Sequence, residues 1–297
     1  MDELERLRPL LDDPKVTDVL ICGTSDVLIE SDGVLFSEQL IFDSTDEINS
    51  WVKAVFSRCG SRLDLAQPLG EVSFQSEFGL LRIHAVLAGE CSEDTQVSIR
   101  RHTRRKKSLE ELQILEAITL DQSIQLKQII NAKQNFVIVG ATGAGKTTLL
   151  RAMLSEVSTE RIITIEENFE LALGGKSISL KTRDSNHEGI GEITLTKLLR
   201  NSLRMRPDRL VIGEARGEEL LLLLQSLNTG HSGAGFTLHA NSTKETLGRM
   251  LGLLAQSGVG PELGRILISN SIHWVIEVRR VDSGRKVVAI ERLTYEH

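Results

Sequence analysis

The stretch GATGAGKTT, residues 140–148, constrains this chain more than any other. It fits G-x-x-x-x-G-K-[ST] through Gly140, Gly145, Lys146 and Thr147. The strand-like NFVIVG precedes it and the helix-like KTTLLRAMLSEV follows, which is the context the pattern requires. Glycines let backbone N–H groups turn inward around phosphates, and the following helix N-terminus adds partial positive charge. Gly140, Ala141, Thr142, Gly143, Ala144, Gly145, Lys146, Thr147 and Thr148 therefore form the expected nucleotide-binding loop. Within it Lys146 is expected to reach the β- and γ-phosphates of ATP, and the Thr147 hydroxyl to hold Mg2+.

Binding is not hydrolysis, which also needs an acid to orient water and another on the metal side. From about residue 109 the chain alternates short β-rich runs (NFVIVG, RIITIEE, SISLKT, RLVIGE, GFTLHA) with helix-like segments. Such alternation predicts a mainly parallel sheet flanked by helices, with ligands at the carboxyl ends of the strands. Those ends carry Glu166 and Glu167, then Glu214, then His239. A lone histidine in an apolar run can be core filling, but the strand-end position of His239 suits a group that senses a γ-phosphate. Gly213 raises a question, because many phosphate-loop enzymes place an aspartate there. The closing runs HWVIEVRR and KVVAIERL, split by VDSGR, read as a hairpin at the sheet's edge.

Residues 1–102 read as a small α+β domain without a catalytic constellation. VTDVLICG, DVLIE, EVSFQSEFG and LLRIHAVL fit strands. STDEINSWVKAVFSRCG fits a helix capped by Ser44 or Asp46, with Ile48, Val52, Val55 and Phe56 as its apolar stripe. A basic run follows, Arg100, Arg101, Arg104, Arg105, Lys106 and Lys107. It reads either as part of a solvated linker, 103–118, or as a strip facing phosphate, on a nucleotide or on lipid headgroups. Residues 119–297 are then the nucleotide-binding domain.

Composition narrows the partners. The net charge of −6 disfavours nucleic acid, whose phosphates select basic surfaces. No apolar run approaches the roughly 20 residues that span a bilayer. MDELERLRPL lacks the layout of a signal peptide. Cys22, Cys59 and Cys91 form no Cys-x-x-Cys pair, so neither zinc nor a disulfide framework is expected. The expected location is the cytoplasm.

Taken in order, four boxes resemble the secretion ATPase superfamily that powers type II and type IV secretion and type IV pili. They are GATGAGKTT, TIEENFEL, LRMRPDRLVIGEARGEE and NTGHSGAGFTLHANS. LLDDPKVTDVLICG and RLDLAQPLGEVSF are similar to the family's N-terminal domain, and the nearest likeness is to its CpaF-like branch, the motors of Flp/Tad pilus assembly. The resemblance implies an α/β fold, a RecA-like P-loop NTPase core with a smaller α+β N-terminal domain. It implies a homo-hexamer bound to ATP and Mg2+, peripherally associated with the inner face of the membrane and acting on membrane-embedded platform proteins. It makes Gly213 ordinary, since the family's Walker B strand ends in Gly-Glu. It places Glu214 on the metal and water side and makes Glu166 the base. Glu167 departs from the usual Glu-Asp. Arginines complete the family's site, and Arg82 and Arg100 match, with Arg183 and Arg216 as further candidates. The lack of a Cys-x-x-Cys pair points away from the zinc-bearing general secretion motors. A type IV secretion or conjugal-transfer ATPase is the alternative within the superfamily; a nucleic-acid motor and an ATP-binding scaffold without turnover stand outside it.

Overall fold

A computed structural model describes residues 3–31, 34–38, 42–102, 107–183, 185, 190–282 and 284–293. The chain divides into two compact units, Met1–Arg105 and Lys106–His297.

The first unit begins with α1 (Arg8–Leu11), then β1 (Val16–Cys22), β2 (Asp26–Ser31), β3 (Val34–Glu38) and α2 (Thr45–Arg58). It continues with β4 (Leu69–Ser76), β5 (Gly79–Val86) and β6 (Gln96–His102). These strands make one six-stranded sheet in the order β3-β2-β1-β6-β5-β4, antiparallel at every pairing. Alternation sends Val19, Ile21, Ile83, Val97 and Ile99 into a core shared with Ile48, Val52, Val55 and Phe56 of α2. Ser44 caps α2, its hydroxyl accepting from the Glu47 amide. Two strands lie outside the sequence-based expectation. Every residue of β3 is exposed, so it shows no alternation to read, and the cationic end of β6 masks its alternating Val97 and Ile99.

The expected linker, 103–118, is divided in the structure. Residues 103–106 lie outside the described residues, whereas 107–118 belong to the second unit. A capping box of Ser108 and Glu111 starts α3 (Leu109–Ile114), and Leu109, Leu112 and Ile118 are buried in that unit's core. The run of charge just before them obscured three apolar anchors.

From there the second unit runs α4 (Leu120–Asn131), β7 (Phe136–Val139), α5 (Lys146–Ser155), β8 (Ile162–Glu166) and β9 (Ile178–Lys181). It goes on with α6 (Leu195–Ser202), β10 (Arg209–Ile212), α7 (Glu219–Leu227), β11 (Gly235–Leu238), α8 (Thr243–Gln256) and α9 (Pro261–Ser271). The hairpin β12 (Trp274–Val281) and β13 (Gly284–Arg292) closes it. The sheet has seven strands in the order β13-β12-β7-β11-β10-β8-β9, parallel except for the β12–β13 pair at its edge. Its strands read as continuous apolar runs because both faces are covered. Val139, Ile165, Ile212 and Leu238 face α6 to α9 on one side, while Ile138, Ile162 and Val211 face α3 to α5 on the other. Among the described residues no helix is long and apolar enough to cross a membrane.

Candidate nucleotide-binding and hydrolysis site

The expected phosphate loop joins β7 to α5, in the strand–loop–helix context its sequence demands. Three of its glycines have positive φ, Gly140 at +149°, Gly143 at +72° and Gly145 at +101°. Gly140 has a second reason to be glycine, since a β-carbon there would lie 2.1 Å from the Val278 carbonyl oxygen. Gly145 is the N-cap of α5, and no side chain caps that helix, which leaves its first amides to an anion. The loop is also held from outside: Arg285 Nε, on β13, donates to the Gly143 carbonyl at 2.8 Å.

Lys146 is buried, and its Nζ lies 2.9 Å from the Gly140 carbonyl oxygen, 3.0 Å from that of Ala141 and 3.3 Å from His239 Nδ1. All three ammonium protons thus have an acceptor. Burial holds its pKa below the usual lysine value, while Glu214 pulls the other way. If Nδ1 of His239 accepts from the lysine, Nε2 carries the proton, and it lies 2.9 Å from Glu214 Oε1. Burial and the Lys146 charge both lower the His239 pKa, which favours this neutral tautomer. Burial alone would raise the Glu214 carboxyl, yet Arg216, with help from His239 and Lys146, holds it below the usual range. Arg216 Nε and Nη2 donate to the two Glu214 oxygens, and its Nη1 donates to Glu167. Five side chains, Lys146, His239, Glu214, Arg216 and Glu167, thereby join the carboxyl ends of β7, β11, β10 and β8.

Glu166 sits differently from its neighbours. It is 3 % exposed. Its Oε1 accepts from the amides of Glu170 and Leu171 at 3.0 and 2.8 Å, and its Oε2 from the Thr164 hydroxyl at 3.2 Å. Burial pushes its pKa up to about 7, against the pull of those hydrogen bonds. The basicity suits a general base, but in this arrangement one oxygen is engaged by the loop that follows β8 and the other by Thr164 of β8 itself.

The other arginines are elsewhere. Arg82 and Arg100 face each other across β5 and β6 of the first unit's sheet, Arg82 paired with Glu71 and Arg100 with Asp18, each at 2.8 Å. Arg183 donates to the Gly191 carbonyl beside an isolated bridge to Ile193. Thr147 and Thr148 lie on the first turn of α5. A cavity of about 250 Å³ adjoins the loop at Ala144, Gly145 and Thr148, walled by Leu112, Ile118 and Val287. A second of about 460 Å³ opens beside Gly140 and His239, with Lys244 and Arg249 on its rim.

Two contributors escaped the sequence. Arg285 belongs to a hairpin with no motif, so only the pairing of β12 with β7 brings it to the loop. Glu219 accepts from the amides of Arg216 and Gly217; its spacing, three residues beyond Arg216 at a helix start, was a readable sign.

The residues present suit a nucleotide and a hard cation: an uncapped helix start, a buried lysine, a hydroxyl at Thr147 and a carboxylate at Glu214. Among the described residues no group of three or more His, Cys, Asp or Glu side chains is placed to hold a metal ion. Mg2+ commonly takes only one or two protein ligands and leaves the rest to phosphates and water.

The fold and the loop together define a P-loop α/β protein with a RecA-like core and a smaller N-terminal domain. A family model described as Type II/IV secretion system protein matches residues 82–292, and the chain belongs to that family. A protein of Mycobacterium tuberculosis (strain H37Rv) provisionally named for conjugal transfer is 36 % identical over 288 residues, covering 95 % of this chain and 82 % of that one. The VirB11 ATPase of the Brucella suis type IV secretion system matches over 98 % of this chain and 96 % of its own, at 25 % identity and a TM-score of 0.52. The Legionella pneumophila ATPase DotB matches over 98 % of this chain and 80 % of its own, with a TM-score of 0.71; at 20 % identity that is a likeness of fold.

Proposed function

We propose that this chain is an ATP-hydrolysing motor of a secretion or pilus-assembly system, working as a homo-hexamer at the inner face of a membrane on embedded platform proteins. The observation that carries the reading is the hydrogen-bonded path from Lys146 through His239 to Glu214. It ties the phosphate loop to the acid on the neighbouring strand end, which is what a turnover site needs and a glycine-rich turn does not.

Lys146 and the loop amides would bind the β- and γ-phosphates, and Thr147 and Glu214 would hold Mg2+, with Glu214 acting through water. The ion, when bound, would neutralise charge developing on the phosphates. His239 holds a proton at Nε2 and reports the lysine's position to Glu214. Glu166 takes the proton of the attacking water once the amides of Glu170 and Leu171 release an oxygen. Arg82 and Arg100 are proposed to complete a site by binding phosphate oxygens, a role that the fork of a guanidinium suits. The apolar cavity beside Thr148 is the place for the nucleobase.

The finer assignment is the CpaF-like, Flp/Tad branch, supported by the order and wording of the four boxes. A type IV secretion or conjugal-transfer role is the second reading, favoured by the names of the relatives. No nucleic-acid partner is proposed, given the net charge of −6.

Phosphate release from Mg-ATP over a range of protein concentrations, with Lys146→Ala as the blank, tests the motor. Specific activity that rises with concentration and vanishes in the variant supports subunits completing each other's sites. Activity equal to the blank in the presence of membranes carrying the platform protein would sink it.

A further inference from the structure

Arg216 is the site arginine whose duty the nucleotide reading leaves open. Its Nε and Nη2 each reach a different oxygen of Glu214 at 2.8 Å, and its Nη1 reaches Glu167 Oε2 at 2.7 Å. His239 Nε2 already lies 2.9 Å from Glu214 Oε1. A carboxylate has about four acceptor positions, so Glu214 has little capacity left for the water shell of a metal ion.

The backbone beneath Arg216 is pinned. The Arg216 and Gly217 amides donate to Glu219, the Ala215 amide donates to the Thr237 carbonyl at 2.9 Å, and the Thr237 hydroxyl donates to the Gly213 carbonyl at 2.6 Å. The Arg216 side chain, in contrast, is 51 % exposed. Movement at this position therefore belongs to the side chain alone, about a fixed loop.

We propose that Arg216 is a latch on Glu214, a positioning residue that competes with the divalent cation for that carboxylate. Closed, the guanidinium fork occupies both Glu214 oxygens. Open, it leaves Glu214 to the metal side and stays near the site through Glu167. A guanidinium binds phosphate with the same fork it offers a carboxylate, so the γ-phosphate of a bound ATP, which ADP lacks, supplies the alternative partner. Glu167 gains a role here: its longer arm anchors Arg216 from the loop after β8. The latch rests on the phosphate-loop reading and adds to it a rule for when Glu214 is free.

The test is Mn2+ binding to the full chain saturated with ADP, read from the electron paramagnetic resonance of free Mn2+, for the parent, Arg216→Gln and Arg216→Lys. Removal of the competitor is expected to tighten Mn2+ about three- to tenfold in Arg216→Gln, with Arg216→Lys between, because an ammonium cannot span both oxygens. Unchanged or weaker Mn2+ binding in a folded Arg216→Gln overturns the latch. Should that variant fail to fold, unchanged binding in Arg216→Lys overturns it alone. A parent whose ADP and Mn2+ binding survives Lys146→Ala overturns the phosphate-loop reading instead, so the two failures are told apart.

Discussion

A β-carbon on Gly213 would lie 3.1 Å from the Glu166 Cγ and 3.5 Å from its Cβ. The two residues follow paired positions on neighbouring parallel strands, Ile212 of β10 opposite Ile165 of β8. The chain leading from β10 to Glu214 therefore passes close against the Glu166 side chain, and the missing side chain at residue 213 gives it the room. Gly213→Ala should push Glu166 by a few tenths of an ångström and cost about 1 kcal/mol, and Gly213→Asp about 1–3 kcal/mol. Thermal unfolding measures both; melting temperatures equal to the parent's would show that the strand end has room to spare.

Glu166 should make stability depend on pH in a direction opposite to that of most carboxylates. Burial raises its pKa to about 7, so the folded chain keeps a proton that the unfolded chain releases at an ordinary carboxylate pKa. The associated stability is complete below about pH 4 and is lost as pH rises through about 7. Glu166→Gln keeps an oxygen for the Glu170 and Leu171 amides and removes the ionisation. Urea unfolding should find the variant roughly 1–3 kcal/mol more stable than the parent at pH 8 and similar to it below pH 5. The same substitution should remove most ATP turnover, and the parent's rate should climb with pH through about 7; a variant that keeps its kcat ends the base assignment.

His239 couples the lysine to the acid without holding the lysine in place. Lys146 retains the Gly140 and Ala141 carbonyls when the imidazole is gone. His239→Phe should therefore lower kcat by roughly ten- to a hundredfold while changing ADP affinity less than about threefold. Calorimetry of ADP binding beside steady-state rates would separate the two. A matching loss of affinity would mean that the histidine orders the loop itself.

Arg209 is a structural cation at the opposite end of β10 from Glu214. It is 1 % exposed, donates to both Glu160 oxygens at 2.8 and 3.1 Å and to the Ile130 carbonyl at 2.8 Å. Gly233 makes room for it, since a β-carbon there would meet Arg209 Nη1 at 2.5 Å. Arg209→Ala should cost about 3–5 kcal/mol in urea, through the unpaired partners and the space left behind. The Glu160 carboxyl, held below its usual range by Arg209, supplies stability above the ordinary carboxylate pKa that is lost as pH falls through the lowered value. An acid-unfolding midpoint that Glu160→Gln leaves unmoved would remove this pair from the pH response.

The local patterns in this chain were strong where a single segment carries its own constraint. The phosphate loop is one such case: glycines at positive φ, a strand before and a helix after are all encoded within a few residues. The α2 stripe and the buried runs of the parallel sheet are others, because alternation and helical spacing report burial directly. Reading failed for β3, whose residues are all exposed, and for 107–118, where a basic run hid Leu109, Leu112 and Ile118.

Residue types and their order were enough to determine the phosphate loop, the layered α/β core and the strand ends that carry Glu166, Glu214 and His239. The tertiary structure alone decided which of those acids faces the lysine. Strand order places β11 beside β7 and β10 beside β11, and so brings His239 to Lys146 and Glu214 to His239. It also turned Glu166 into its own loop, set Gly213 against it, and stretched Arg216 between Glu214 and Glu167. Such relations depend on distances between segments far apart in sequence, and pairing across a sheet is a physical fact that no single segment contains.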